Sequence, residues 1–177
     1  RRIKIANTTF NGPVRAENGF IGITKNSSTG AITENITFGN NGLVVAPVVL
    51  GDEDKTLTAA DNGGRVNVIP AIGSNRTLTL PSPSAGLYFK FISGAGATEA
   101  QNIIISTGSN TNFYLGGVSH LDTNADNAAV YPNGSSNSKF TAVTFGPIDI
   151  NILAKDSTNW YIWGNVLSVS LPTFGDQ

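Results

Sequence analysis

Histidine occurs once in the 177-residue chain, at position 120, with Ser119 beside it and Asp122 two residues on. Ser, His and Asp are the residue types of a nucleophilic triad, in which the imidazole takes the serine proton and the acid orients the ring. Triads are assembled from separate elements, and no serine here sits in a G-x-S-x-G elbow. His120 is therefore read as an ordinary loop histidine. Metal binding is the next candidate. Asp122-Thr123-Asn124-Ala125-Asp126 matches the first three ligand positions of a calcium loop. Asn127 stands where the sharp-turn glycine belongs, however, and Asn133 where the bidentate glutamate belongs. Asp52-Glu53-Asp54 reads more simply as a solvated acidic turn. Paired carboxylates for glycoside hydrolysis are conceivable in any β protein, but no spacing selects a pair. Gly63-Gly64 and Gly94-Ala95-Gly96 lack the lysine and the following helix that a phosphate cradle needs. The absence of cysteine excludes disulfides, thiolate metal sites and cysteine nucleophiles. No catalytic, metal or cofactor site is expected.

Composition narrows the partners. Eleven Lys and Arg against twelve Asp and Glu give a net charge of −1, whereas a phosphate-binding surface must be basic. Nucleic acid is not expected as a partner. The one basic cluster is Arg1, Arg2 and Lys4. No apolar run approaches the ~20 residues that span a bilayer, and Arg1–Phe10 alternates instead of forming the apolar core of a secretory signal, so no membrane partner is expected. With 40% hydrophobic and only 13% charged residues, the chain has the balance of a folded protein whose polar surface is Asn, Thr, Ser and Gly.

Any site in such a chain must be positioned by β elements. The stretch 55–93 divides into four short strands, at 55–59, 65–69, 76–80 and 86–93, cut by the turns Asp61-Asn62-Gly63-Gly64 and Pro81–Gly86. Leu87, Phe89 and Phe91 fall on one face of the last, and Tyr88, Lys90 and Ile92 on the other. Further strands are expected at 101–107, 111–115, 139–145, 148–155, 158–163 and 165–170. On a strand, Trp160 and Ile162 share one face, and Tyr161 and Trp163 the other. Gly116–Lys139 is expected to be a long functional or mobile loop, and Thr173–Gln177 a tail. Upstream, Ile3–Phe10 alternates, Asn18-Gly19 signals a hairpin, Asn26–Gly30 a loop, and Leu43–Leu50 a buried strand interrupted at Pro47. This region is poor in large apolar residues. The expected organisation is an N-terminal arm with short β elements over 1–50, then an all-β domain over 51–177. That domain is a β-sandwich, for which a jelly roll is one available topology.

Two stretches carry a resemblance. Phe10-Asn11-Gly12-Pro13-Val14-Arg15-Ala16-Glu17-Asn18-Gly19-Phe20 resembles the F-x-G-P-V-R-(S/A)-x-x-G-F opening of virion structural proteins of aquatic tailed bacteriophages. Leu57–Gly64 followed by Leu78–Phe91 is similar to the L-T-x-x-D-x-G … T-L-P-x-P-x-x-G-x-x-(Y/F)-x-F pattern of small β domains on phage heads and tails. The resemblance implies a non-enzymatic capsid decoration, or cement, protein on the virion surface. Such proteins are β-rich and often trimeric, and they bind the shell of the major capsid protein from outside. The arm would lie along the capsid, with Arg1, Arg2, Lys4, Phe10, Arg15 and Phe20 as the contact residues and a homotrimer as the assembly. The alternative is a tail-fibre or receptor-binding module that recognises carbohydrate, for which Trp160, Trp163 and Tyr131 could supply an aromatic platform beside Asp and Asn groups. A glycosidase comes third.

Overall fold

The computed structural model describes residues 20–39, 42–44, 46–94, 99–122 and 127–177. The chain forms two compact units, Arg1–Val45 and Ala46–Gln177.

In the first unit, β1 (Phe20–Lys25), β2 (Ile32–Gly39) and β3 (Gly42–Val44) form an antiparallel sheet in chain order. The expected loop at Asn26–Gly30 joins β1 to β2. The Asn26 carboxamide oxygen accepts the Ser28 and Thr29 N–H groups at 2.9 and 3.0 Å, mimicking a backbone turn. Gly30 then takes a positive φ of 75°. Residues 20–44 thus build a small sheet, and an extended arm is not confirmed for them. The strand expected at Ile3–Phe10 and the hairpin at Asn18-Gly19 lie outside the described residues, as do Arg1, Arg2, Lys4 and Arg15. The expected strand Leu43–Leu50 is interrupted at Pro47, and its burial is corrected, since Val49 is 68% exposed. Its residues divide between β3 and β4 (Val48–Val49), with Ala46 and Pro47 exposed between them. Proline offers no ladder donor, so pairing stops where it stands.

The second unit is an all-β sandwich. From β4 the chain crosses to β5 (Lys55–Thr56), back to β6 (Val66–Ile69), over to β7 (Arg76–Thr79), back to β8 (Tyr88–Ser93) and over to β9 (Ile103–Ser106). β4, β6 and β8 pair in parallel in one sheet, and β5, β7 and β9 in parallel in the other. Residues 48–106 are therefore wound as a coil, in which each strand of one sheet serves as the crossover between parallel strands of the other. The larger sheet is completed by β10 (Phe113–Gly116), β11 (Val118–Asp122), β12 (Ala128–Val130), β14 (Phe145–Ala154) and β15 (Asn159–Ser168), in the order β12-β11-β15-β14-β8-β6-β4, with β10 also on β15. β13 (Lys139–Ala142) and β16 (Thr173–Gly175) complete the smaller sheet, in the order β16-β13-β9-β7-β5. A jelly roll is built from antiparallel Greek keys. That topology is not confirmed, because both sheets are mixed.

The core lies between the sheets. Phe89 and Phe91 of β8, Ile150 and Ile152 of β14, and Trp160, Ile162 and Val166 of β15 are buried from one side. Leu78, Ile103, Ile105 and Phe140 are buried from the other. Phe89 meets Trp160 with ring centroids 5.9 Å apart, and Phe140 meets Phe174 at 5.2 Å, both in the tilted geometry aromatic quadrupoles favour. Tyr114 of β10 spans the layers and donates its hydroxyl hydrogen to the Ile105 carbonyl at 3.2 Å. Its full burial pushes its hydroxyl pKa up.

One buried polar pair fixes the turn between β5 and β6. Asn67 points inward from β6, accepts from the Asn62 amide at 2.8 Å, and donates to the carbonyls of Asn62, Arg65 and Lys90. Asn62 in turn accepts the Thr58 N–H. The Asp-Asn-Gly-Gly signal thus marks a turn whose Asn62 side chain reaches into the core, where it must find a partner. Gly63 belongs here because a Cβ would overlap the Ala59 carbonyl oxygen.

Candidate functional site

Four elements change the sequence reading of possible sites. First, Gly116–Lys139 is not a continuous loop, since it contains β11 and β12. His120 is a buried strand residue, its Nε2 lying 3.2 Å from the Ser168 carbonyl. Ser119 is exposed on the opposite face of β11, because strand side chains alternate. Ser119 and His120 cannot form a nucleophile–base pair. Second, Asn124 and Asp126 of the calcium-like pattern lie outside the described residues, and Asn127 caps the Asp122 N–H at 3.1 Å. Among the described residues, no three His, Cys, Asp or Glu side chains come together as metal ligands. Third, the acidic turn does more than meet solvent. Asp52 binds Arg76 Nε at 2.7 Å and the Gly73 N–H at 3.0 Å, while Asp54 accepts the Thr77 N–H at 2.8 Å. The Arg76 and Gly73 hydrogen bonds hold the Asp52 carboxyl below the usual carboxylate range. Fourth, the tail forms β16 and pairs with β13.

The aromatic side chains separate by face. Trp160 is fully buried and cannot serve a ligand. Trp163 and Tyr161, on the opposite face of β15, are 44% and 40% exposed. The outer face of the larger sheet is therefore where side chains of distinctive chemistry meet solvent. β14 runs between β8 and β15, and its register sets Asn151 between Lys90 and Trp163, and Asp149 between Ile92 and Asn165. Tyr88 donates its hydroxyl hydrogen to Asn151 Oδ1 at 2.5 Å, and its ring lies 6.4 Å from that of Trp163, inclined by 33°. Lys90 Nζ sits 3.0 Å from Asp149.

Tyr131 joins this face through a glycine. Gly117 lies between two register pairs of the same parallel offset, Gly116 with Ile162 and Ser119 with Asn165, so it is level with Trp163. Having no side chain, it leaves room for the Tyr131 ring, which a Cβ at 117 would overlap. Tyr131 is 70% exposed. Of the three aromatics expected to form a platform, the fold brings Trp163 and Tyr131 to one face and removes Trp160. Tyr88, Asn151, Lys90 and Asp149, which the linear pattern did not single out, complete the row. The alternation at 87–92 already put Tyr88 and Lys90 on one face, but their meeting with Trp163 depends on β14 pairing with both β8 and β15.

Of the residues expected to contact a capsid, Arg1, Arg2, Lys4, Phe10 and Arg15 lie outside the described residues. Phe20 opens β1, its backbone opposite Phe38. No helix among the described residues is long and apolar enough to cross a membrane. A scan against protein-family models finds no match, and a search of curated proteins finds none.

Proposed function

We propose that the protein is a non-enzymatic virion structural subunit, a capsid decoration protein that binds the outer surface of a major capsid protein shell and stabilises it. The observation that carries this reading is the partition of the chain into Arg1–Val45 and Ala46–Gln177, with the motif Phe10–Phe20 confined to the first unit. The second unit has a core of its own. The first has short strands and few large apolar residues, the composition of a segment that gains order on binding, and a small sheet offers edges to which a partner strand can add. In this reading Arg1, Arg2, Lys4, Phe10, Arg15 and Phe20 meet the capsid, and three copies assemble where capsid subunits join.

The test uses shells of the major capsid protein and the decoration subunit added in solution. Full-length chain is expected to saturate the shell in proportion to capsid subunits and to raise its melting temperature. A chain carrying Arg1→Ala, Arg2→Ala, Lys4→Ala and Arg15→Ala, and a chain lacking residues 1–45, are both expected to lose occupancy. Undiminished occupancy by either would sink the assignment. A copy number of only a few per particle would transfer the protein to the tail.

A further inference from the structure

We propose that the outer face of the larger sheet is a binding site for a neutral oligosaccharide, laid across the row from Tyr88 through Trp163 to Tyr131. Three observations select this ligand class. Trp163 and Tyr131 are exposed and Tyr88 is half-buried: Tyr88 and Trp163 are adjacent at 6.4 Å, and Tyr131 stands one strand further out, over Gly117. Ring faces carry negative quadrupole density and attract the polarised C–H groups on the flat side of a pyranose. Polar groups accompany the rings, with Asn151 in register with both Lys90 and Trp163, as a ligand with both C–H faces and hydroxyls requires. The Asn151 amide has its oxygen engaged by Tyr88 and its nitrogen only at 3.5 Å from Asp149, so the amide donor points at an acceptor it barely reaches. An apolar protein partner would find its contact interrupted at each of these groups.

Charge decides between neutral and acidic glycans. Lys90 and Asp149 neutralise one another at 3.0 Å, which leaves the row with no net charge among its six residues. A polyanion would gain nothing from such a surface. The site is also preorganised. The Tyr88–Asn151 hydrogen bond holds the ring beside Trp163, and all six side chains stand on or beside paired strands, so little ordering is left to oppose binding.

This inference goes beyond capsid decoration and does not depend on it, because it concerns the isolated chain. The experiment titrates full-length protein with cellohexaose, laminarihexaose, maltohexaose, mannohexaose and heparin, followed by tryptophan fluorescence and calorimetry. Trp160 is sealed in the core, so a ligand-dependent change in emission reports Trp163. Saturable binding of at least one neutral hexaose is expected, weakened on the order of tenfold by Trp163→Ala, the scale of one lost aromatic contact. Tyr131→Ala, at an exposed position where folding is not at stake, should weaken it as well. The proposal is overturned if none of the four neutral hexaoses binds saturably, if Trp163→Ala binds like the parent, or if heparin is preferred. It is likewise overturned if Trp163→Ala abolishes a self-association seen by sedimentation while no sugar binds, because the face would then be an interface between copies.

Discussion

Trp160 and Trp163 lie on the same strand, three residues apart, and have opposite surroundings. Trp160 faces the smaller sheet and packs against Phe89, while Trp163 faces solvent beside Tyr88. Identical chemistry has become core on one side of β15 and a candidate ligand platform on the other. The difference is one of parity, since every second residue of a strand shares a face. A tryptophan on a β domain therefore has meaning only once its partner faces are known.

The largest loss of stability is expected at Gly164, next to Trp163. Its φ of 140° and its closeness to the Asp149 carbonyl let β15 run past β14 without interruption. Gly164→Ala would force a methyl group into that oxygen and should cost on the order of 4 kcal/mol or more, seen as loss of the cooperative urea transition or a much lower midpoint. Trp160→Ala is next, at about 3–5 kcal/mol for a large core cavity, whereas Trp163→Ala should stay within about 0.5 kcal/mol. Trp160→Phe should recover much of the loss, because the buried Trp160 Nε1 has no hydrogen-bond partner among the described residues to forfeit. Equal losses at 160 and 163 would show that the outer face is structural. Asn67→Ala should cost about 1–3 kcal/mol, because it strands the Asn62 amide inside the fold. Denaturation midpoints against Asn62→Ala would place both residues in one unit if the double variant loses less than the sum.

The smallest effect concerns acid. The Thr158 N–H, joined by Asn159, lowers the Asp156 carboxyl to about 2 at the β14–β15 turn. A carboxylate with a depressed folded-state pKa contributes stability that is complete above its ordinary pKa, near 4, and is lost as pH falls through its folded value, near 2. Urea midpoints should therefore decline between about pH 4 and pH 2. Asp156→Asn should flatten that decline, and Asp52→Asn should do the same, since Arg76 lowers Asp52 in the same direction. An unchanged slope in both variants would assign acid sensitivity to other groups.

Much of the second unit was legible in linear order, because alternation and turn chemistry are local. Phe89 and Phe91 inside, Trp160 opposite Trp163, and the strands at 66–69, 76–79 and 113–116 follow from period two and from Gly, Pro and Asn punctuation. Which strands pair was not legible. Parallel sheets usually announce themselves as continuous apolar runs because both faces are covered. Here the parallel strands have one face open, so Val66–Ile69 and Tyr88–Ser93 alternate like antiparallel ones. β11 was hidden because its inward positions are Val118 and His120, and an imidazole at a core position reads as polar. The outer-face row was half legible: Tyr88 with Lys90 and Tyr161 with Trp163 were assigned to shared faces, but joining the pairs required β14 between them.

The winding of residues 48–106 also has a consequence for how the chain reaches this state. No strand in the coil pairs with its neighbour in sequence, so each pairing must close a long loop before it yields stability, which slows folding. β14 and β15 are the contrasting case, a long antiparallel hairpin closed by the Asp156 turn. They can pair early and present an edge to β8. Pulsed hydrogen exchange during refolding should accordingly protect amides of 148–166 before those of 66–69 and 103–106, and simultaneous protection would argue for a single diffuse nucleus. During synthesis from the N-terminus, the coil emerges first and must wait, β8 unpaired on one side, until the C-terminal hairpin has left the ribosome.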